Sequence, residues 1–175
     1  YAGWKRDMIA AALGRHGLDA EIEPVISVSP ASRRRIRLAF RKLAGGMLLG
    51  FHEARSDRIV DIAECPVALP EIVTLIPRLR DFLSGRAGRA DQGEVAITQT
   101  AEGADVVVFS AKEPDLDTRM DAPEFCEAAG VARLSWSAKD DSTPEPVLTL
   151  KSPTVRFGNV SVRIPPDSFL QPTET

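Results

Sequence analysis

The chain has 175 residues, 43% of them hydrophobic and 27% charged, with a formal net charge of −3, a composition that fits a soluble globular protein and excludes a wholly disordered one. No apolar run approaches the roughly 20 residues needed to span a bilayer. Charges interrupt the opening stretch YAGWKRDMIAAALGRHGL where a signal peptide needs an unbroken apolar core, so a cytoplasmic address without membrane contact is expected. The two cysteines, Cys65 and Cys126, stand in unrelated contexts and make no disulfide framework; both are expected as reduced thiols. The chain starts without methionine and stops at QPTET, and it reads as a piece of a longer protein.

In chain order, Trp4, Met8, Ala11, Ala12 and Leu18, with Ile9 and Leu13 beside them, recur at helical spacing up to a stop at Gly17, which predicts an amphipathic helix. A β meander follows: Arg34 to Lys42, a turn at Ala44 to Gly46, Met47 to His52, and Arg58 to Ile62. Pro70 opens a second helix carrying Leu69, Ile72, Val73, Ile76, Leu79 and Leu83, which Pro77 is expected to kink or divide. The stretch from Ser84 to Gly93 reads as a linker joining two halves. Beyond it come strands at Glu94 to Gln99 and Asp105 to Ser110, an acidic helix at Asp117 to Ala129, and a strand at Val131 to Ser137. After a polar loop from Ala138 to Pro146 come three short strands, Val147 to Leu150, Thr154 to Phe157 and Val160 to Ile164, the last two joined by a Gly158-Asn159 hairpin signal. The class is α+β: a mostly antiparallel sheet with an N-terminal amphipathic helix and two further helices.

Charge is polarised along this framework. From Arg33 to Lys42 there are six cations and no acidic residue, whereas eight acidic residues between Glu102 and Glu127 face Lys112 and Arg119 alone. Strand alternation puts Arg33, Arg35, Arg37 and Arg41 on one face and Ile36, Leu38 and Phe40 on the other. Such a stripe either pairs with local carboxylates or contacts phosphates, each neutralised phosphate adding counterion release and salt dependence. Arg33, Arg34, Arg35 and Arg37 are the candidate RNA-facing residues, with Arg41 and Lys42 at the margin. Phe51 and His52 are added because an aromatic beside a basic strand suits single-stranded RNA.

Little in the chain supports catalysis of its own. No glycine-rich loop follows a strand and opens a helix, and His16 and His52 are too few for a histidine metal cluster. Cys126 lies between acidic residues of a helix, which would raise its pKa, and reads as core filler. Cys65, in Glu64-Cys65-Pro66, sits at a strand end beside a proline; it is either a buried structural thiol or the last member of an iron–sulfur ligand set, which some such sets place before proline.

Taken as an ordered set, the arginine strand, GFHEARSDRIVDIAECPVALPEI, EPVLTL and the closing FLQPT resemble the bacterial iron–sulfur-containing 23S rRNA (uracil-5-)-methyltransferases, from Trp4-Lys5 to Phe169-Leu170-Gln171. The resemblance implies a parent enzyme with an oligonucleotide-binding barrel, a central β-rich domain and a Rossmann-like S-adenosylmethionine domain. Residues 1–23 would then be a helix packing on the catalytic domain, 24–166 the central RNA and cluster domain, and 167–175 the start of the methyltransferase domain. It implies that Cys65 is one ligand of a [4Fe–4S] cluster whose other three cysteines precede Tyr1, and that Gln171 contacts S-adenosylmethionine; Thr173 stands where the family often has asparagine. It further implies a monomer that acts on RNA by adding a cysteine thiolate to C6 of uracil, with a base removing the C5 proton after methyl transfer. No residue here matches that nucleophile or base, so the catalytic residues lie elsewhere and the fragment alone would be inactive. Two other readings stand beside this one: a non-catalytic RNA-binding or assembly module, and a structural domain whose basic strand packs on an acidic partner such as Glu102 to Glu127.

Overall fold

A computed structural model describes residues 1–86, 91–138 and 143–173. Its centre is β1 (Arg35–Leu43), where Ile36, Leu38 and Phe40 alternate into the core as the sequence pattern requires. β1 pairs antiparallel with β2 (Gly46–His52), which pairs with the short edge strand β3 (Ile59–Asp61). On its other side β1 pairs with β4 (Gln92–Thr100) in continuous register from Arg35↔Thr98 to Arg41↔Gln92. β4 forms a hairpin with β5 (Gly103–Ser110), and β6 (Val131–Ser137) and β7 (Glu145–Thr149) complete a seven-stranded sheet of order β3-β2-β1-β4-β5-β6-β7. The β1–β4 ladder removes the joint expected at Ser84 to Gly93. Ser84 to Arg86 belong to a helix, Gln92 and Gly93 to β4, and residues 87–90 lie outside the described residues.

Two helices cover one face of this sheet. α1 (Ala2–Arg15) stands apart, while α2 (Pro70–Arg86) and α3 (Leu116–Ala129) pack on the strands and on each other. Ile72, Leu75, Ile76, Leu79 and Leu83 of α2 are almost fully buried in one cluster with Leu38, Leu49, Val95, Ile97, Val106 and Leu134 of the sheet, each such side chain contributing about 1.5–3 kcal/mol. α2 runs through Pro77 as one helix, so of the expected kink or division the division does not occur. Pro77 is exposed and its neighbours Ile76 and Leu79 are fully buried, so packing on both sides offsets the roughly 3 kcal/mol that a mid-helix proline costs. α3 is capped by Asp115, whose carboxylate accepts the Thr118 N–H at 2.8 Å, and ends at Gly130 with φ 68°. It is the crossover that lets β6 run parallel to β5, the one parallel pair among the described strands. The class is thus α+β with a mostly antiparallel sheet, as read from the sequence.

β8 (Thr154–Phe157) and β9 (Val160–Arg163) form a separate hairpin around Gly158, at φ 60°, and Asn159. α1 ends near Gly17 as expected, but none of its residues is buried. Trp4, Met8 and Ile9 are exposed, and Tyr1 stacks on Trp4 at 5.8 Å. Its apolar positions have a helical spacing without a core to enter. Among the described residues no helix is long and apolar enough to cross a membrane.

In urea denaturation of the 175-residue chain, Leu38→Ala is expected to cost about 2–5 kcal/mol and Trp4→Ala less than about 0.5 kcal/mol. Comparable losses would show that α1 is packed in solution.

Candidate nucleic-acid interface

The face of the sheet away from α2 and α3 carries the even-spaced arginines, and the structure supplies them with partners. Arg35 Nη2 lies 3.0 Å from Asp167 Oδ1, and Arg37 Nη2 lies 2.7 Å from Asp167 Oδ2, so one carboxylate bridges two strand guanidiniums. Arg37 Nη1 reaches Glu94 Oε2 on β4 at 3.0 Å, and its guanidinium lies 4.5 Å from the centre of the Phe109 ring. Burial acts to lower the Arg37 pKa, but the hydrogen bond to Glu94 and the charge of Asp167 outweigh it and hold the group above its ordinary value. Next to these, Asp105 and Arg133 form a buried bidentate pair at 2.8 and 2.9 Å. Burial raises the Asp105 pKa, Arg133 opposes that rise, and the charge of Asp167 adds to it.

Three further cations of the arginine run, Arg34, Arg41 and Lys42, are also engaged. Arg34 donates from Nε to the Gln171 carbonyl at 3.1 Å, and its backbone N–H donates to the Pro172 carbonyl at 2.7 Å. Arg41 donates to Gln92 Oε1, and Lys42 to the Ser84 hydroxyl and carbonyl. Arg33 is exposed where the chain before β1 pairs with residues 67–69. With Pro66, Val67, Pro172 and Thr173 it lines a cleft of about 610 Å³, which brings together the neighbours of Cys65 and of Gln171. Phe51 and His52 lie elsewhere: beyond the last β1–β2 pair, Ala39↔Gly50, they pair with Val60 and Ile59 of β3 and are exposed. The acidic segment Glu102 to Glu127 is not what Arg35 and Arg37 pair with; their carboxylates are Glu94 and Asp167.

Cys65 is buried in the main core, its carbonyl accepting the Ala68 N–H at 3.3 Å. It offers a single thiol: among the described residues no three His, Cys, Asp or Glu side chains converge as a metal site. The residues present therefore do not make a cluster site by themselves. Cys126 is buried in α3, and burial, rather than the flanking glutamates, pushes its thiol up to about 12. Gln171 is exposed and held through its carbonyl, its side-chain amide making no hydrogen bond among the described residues.

Sequence reasoning missed the two carboxylates that organise this region. Asp167 lies 130 and 132 residues from its arginine partners, and no local pattern announces such a contact. Glu102, at the β4–β5 turn, accepts both the N–H and the hydroxyl of Thr154 and so fastens the root of the β8–β9 hairpin to the sheet. Its pKa is lowered by the Thr154 hydroxyl and then by the Thr154 N–H.

The chain is 40% identical, over 99% of its length, to an uncharacterized RNA methyltransferase of Mesorhizobium japonicum, of which it covers 40%. It is 34% identical over 99% of its length to an uncharacterized RNA methyltransferase of Brucella suis, again covering 40%. These relatives are named RNA methyltransferases. Over 64% of the chain it is 35% identical to the 23S rRNA (uracil(1939)-C(5))-methyltransferase of Cronobacter sakazakii, covering 27% of that protein. The chain thus spans about 40% of the length of the first curated relatives it matches. Its fold matches 45% of the Pyrococcus abyssi tRNA (uracil-54, C5)-methyltransferase, solved with S-adenosyl-L-homocysteine, with a TM-score of 0.67 over 99% of this chain at 22% identity. No family model matches the chain.

Because the folded pKa of Glu102 lies below its ordinary value of 4.5, its bonds to Thr154 contribute fully above that value and are lost as the pH falls through the lower folded one. Glu102→Gln should therefore lower the melting temperature at neutral pH, with the gap to wild type closing in acid below 4.5. A gap independent of pH would contradict the assignment.

Proposed function

We propose that this chain is the central part of an S-adenosylmethionine-dependent RNA (uracil-5-)-methyltransferase acting on 23S rRNA. The observation that carries the reading is the 40% identity over 99% of the chain to a protein named an RNA methyltransferase; the uracil-C5 chemistry and the ribosomal substrate rest on the 35% identity to the Cronobacter sakazakii enzyme. In this reading the chain grips substrate while residues outside these 175 supply the nucleophile and base.

Residues 1–23 would dock on the catalytic domain, 24–166 form the central domain, and 167–175 lead into the S-adenosylmethionine domain. The exposed apolar positions of α1 and the free side-chain amide of Gln171 support the first and last of these. Gln171 is assigned a contact to S-adenosylmethionine, which supplies the methyl group. Arg33, Phe51 and His52, all exposed, are assigned contacts to RNA. Arg34, Arg35 and Arg37 belong to the same assignment, with phosphates competing against Gln171, Asp167 and Glu94 for their guanidiniums. Cys65 is assigned as one thiolate of a [4Fe–4S] cluster completed by cysteines outside this chain.

The test is to incubate the intact protein, purified without oxygen, with methyl-labelled S-adenosylmethionine and either 23S rRNA or transfer RNA, and to map 5-methyluridine by mass spectrometry. Label at one uridine of 23S rRNA is the expected result; label in transfer RNA alone would reassign the substrate. RNA binding without transfer would make the chain a non-catalytic RNA-binding or assembly module. The same preparation should carry about four iron atoms per chain, lost in Cys65→Ser; an iron-free wild type would leave Cys65 a core thiol.

A further inference from the structure

Most cations of the arginine strand are already engaged, whereas the β8–β9 hairpin and the residues leading into it carry cations whose side chains are not. From Val147 to Pro166 the sequence contains Lys151, Arg156 and Arg163 and no acidic residue, within a chain of net charge −3. All three are exposed, and none of their side chains has a hydrogen bond or ion pair among the described residues, although the Lys151 backbone N–H donates to the Ala132 carbonyl at 3.1 Å. Arg35, Arg37, Arg80, Lys112 and Arg133, by contrast, each have a carboxylate partner.

The ladder sorts the hairpin into two faces. Thr154↔Arg163 and Arg156↔Ser161 share one face, and Val155↔Val162 and Phe157↔Val160 share the other. Arg156 and Arg163 are diagonal neighbours, about 7–8 Å apart across the ribbon. Phe157, beside the turn, is 61% exposed, and Val160 equally so. The root is fixed: Glu102 holds Thr154, and Val155 and Ile164 bury themselves with Leu170. A narrow ribbon anchored at its root thus projects an aromatic ring near its tip and two unopposed guanidiniums along its side.

We propose that this hairpin is an RNA-contacting arm, with Arg156, Arg163 and Lys151 on phosphates and the Phe157 ring stacked on an unpaired base. Unopposed cations select a polyanion over an apolar protein surface, and an exposed ring on a cationic ribbon is the stacking platform that single-stranded RNA uses. The inference rests on the reading of RNA as substrate and adds to it a surface separate from the arginine strand.

The test measures binding of the intact protein to a fluorescein-labelled, uridine-containing RNA stem-loop by anisotropy over a range of salt concentrations. Arg156→Ala combined with Arg163→Ala should reduce the slope of log affinity against log salt by about 1.4, the share of two single-strand phosphates. Phe157→Ala should weaken binding about 5- to 150-fold, while Phe157→Tyr, which keeps a stacking ring, should bind nearly as wild type. Unchanged affinity and slope in both alanine variants, with wild type binding normally, would overturn the arm and leave the methyltransferase reading standing. Equal losses in Phe157→Ala and Phe157→Tyr would overturn stacking in favour of packing against protein. Wild type that binds no RNA would overturn the arm and the proposed function together.

Discussion

A guanidinium on the face of a strand inside a sheet must be solvated or paired, and much of this molecule follows from how β1 meets that demand. Period-two alternation sends Ile36, Leu38 and Phe40 into the helix-covered core, so Arg35 and Arg37 necessarily stand on the opposite face. Both are at least half covered there: their side chains are 23% and 41% exposed. A charge so placed costs free energy unless it finds a partner, and Asp167 supplies one oxygen to each. The same contact fastens the segment after β9 to the middle of the sheet, where Leu170 closes a small second core with Val155 and Ile164.

Much of the fold was legible because it is written in local periods. β6 and β8 begin and end where alternation predicts, and the Gly158-Asn159 turn joins β8 to β9 as its composition requires. Asp115 and Gly130 mark the ends of the acidic helix by cap chemistry. What was not legible depends on distance along the chain. The β1–β4 ladder brings residues 35–41 against residues 92–98, and a glycine- and arginine-rich stretch between them looks the same whether it separates two domains or crosses one sheet. Pro77 does not divide α2 for a related reason: propensity is a local cost, whereas the burial of Ile76 and Leu79 that offsets it is tertiary.

The candidate site was legible as residues and not as contacts. The arginine run and Cys65 stand out in the sequence and Gln171 through the family resemblance, yet their relation appears only in space. Arg33 lines a cleft with residues adjacent to Cys65 and to Gln171, and Arg34 holds the Gln171 carbonyl. Phe51 and His52, close to the arginines in sequence, lie out along β2 beside β3.

Charge runs illustrate why a one-dimensional count misleads about a field. On the face away from the helices, Arg35, Arg37 and Arg133 stand against Glu94, Asp105 and Asp167, three guanidiniums with three carboxylates within hydrogen-bonding distance. Those six charges cancel, which leaves on that face Arg41, bonded to the neutral Gln92 amide, and the exposed Arg33. Burial raises the Asp105 pKa and the charge of Asp167 adds to the rise, which Arg133 opposes without cancelling. The β8–β9 hairpin has the opposite balance: a modest number of cations, but no acidic residue from Val147 to Pro166 to cancel them. Long-range attraction follows the net charge of a surface after its internal pairs are discounted. By that measure the hairpin is a cationic feature in its own right, some 120 residues in sequence beyond the run that first draws the eye.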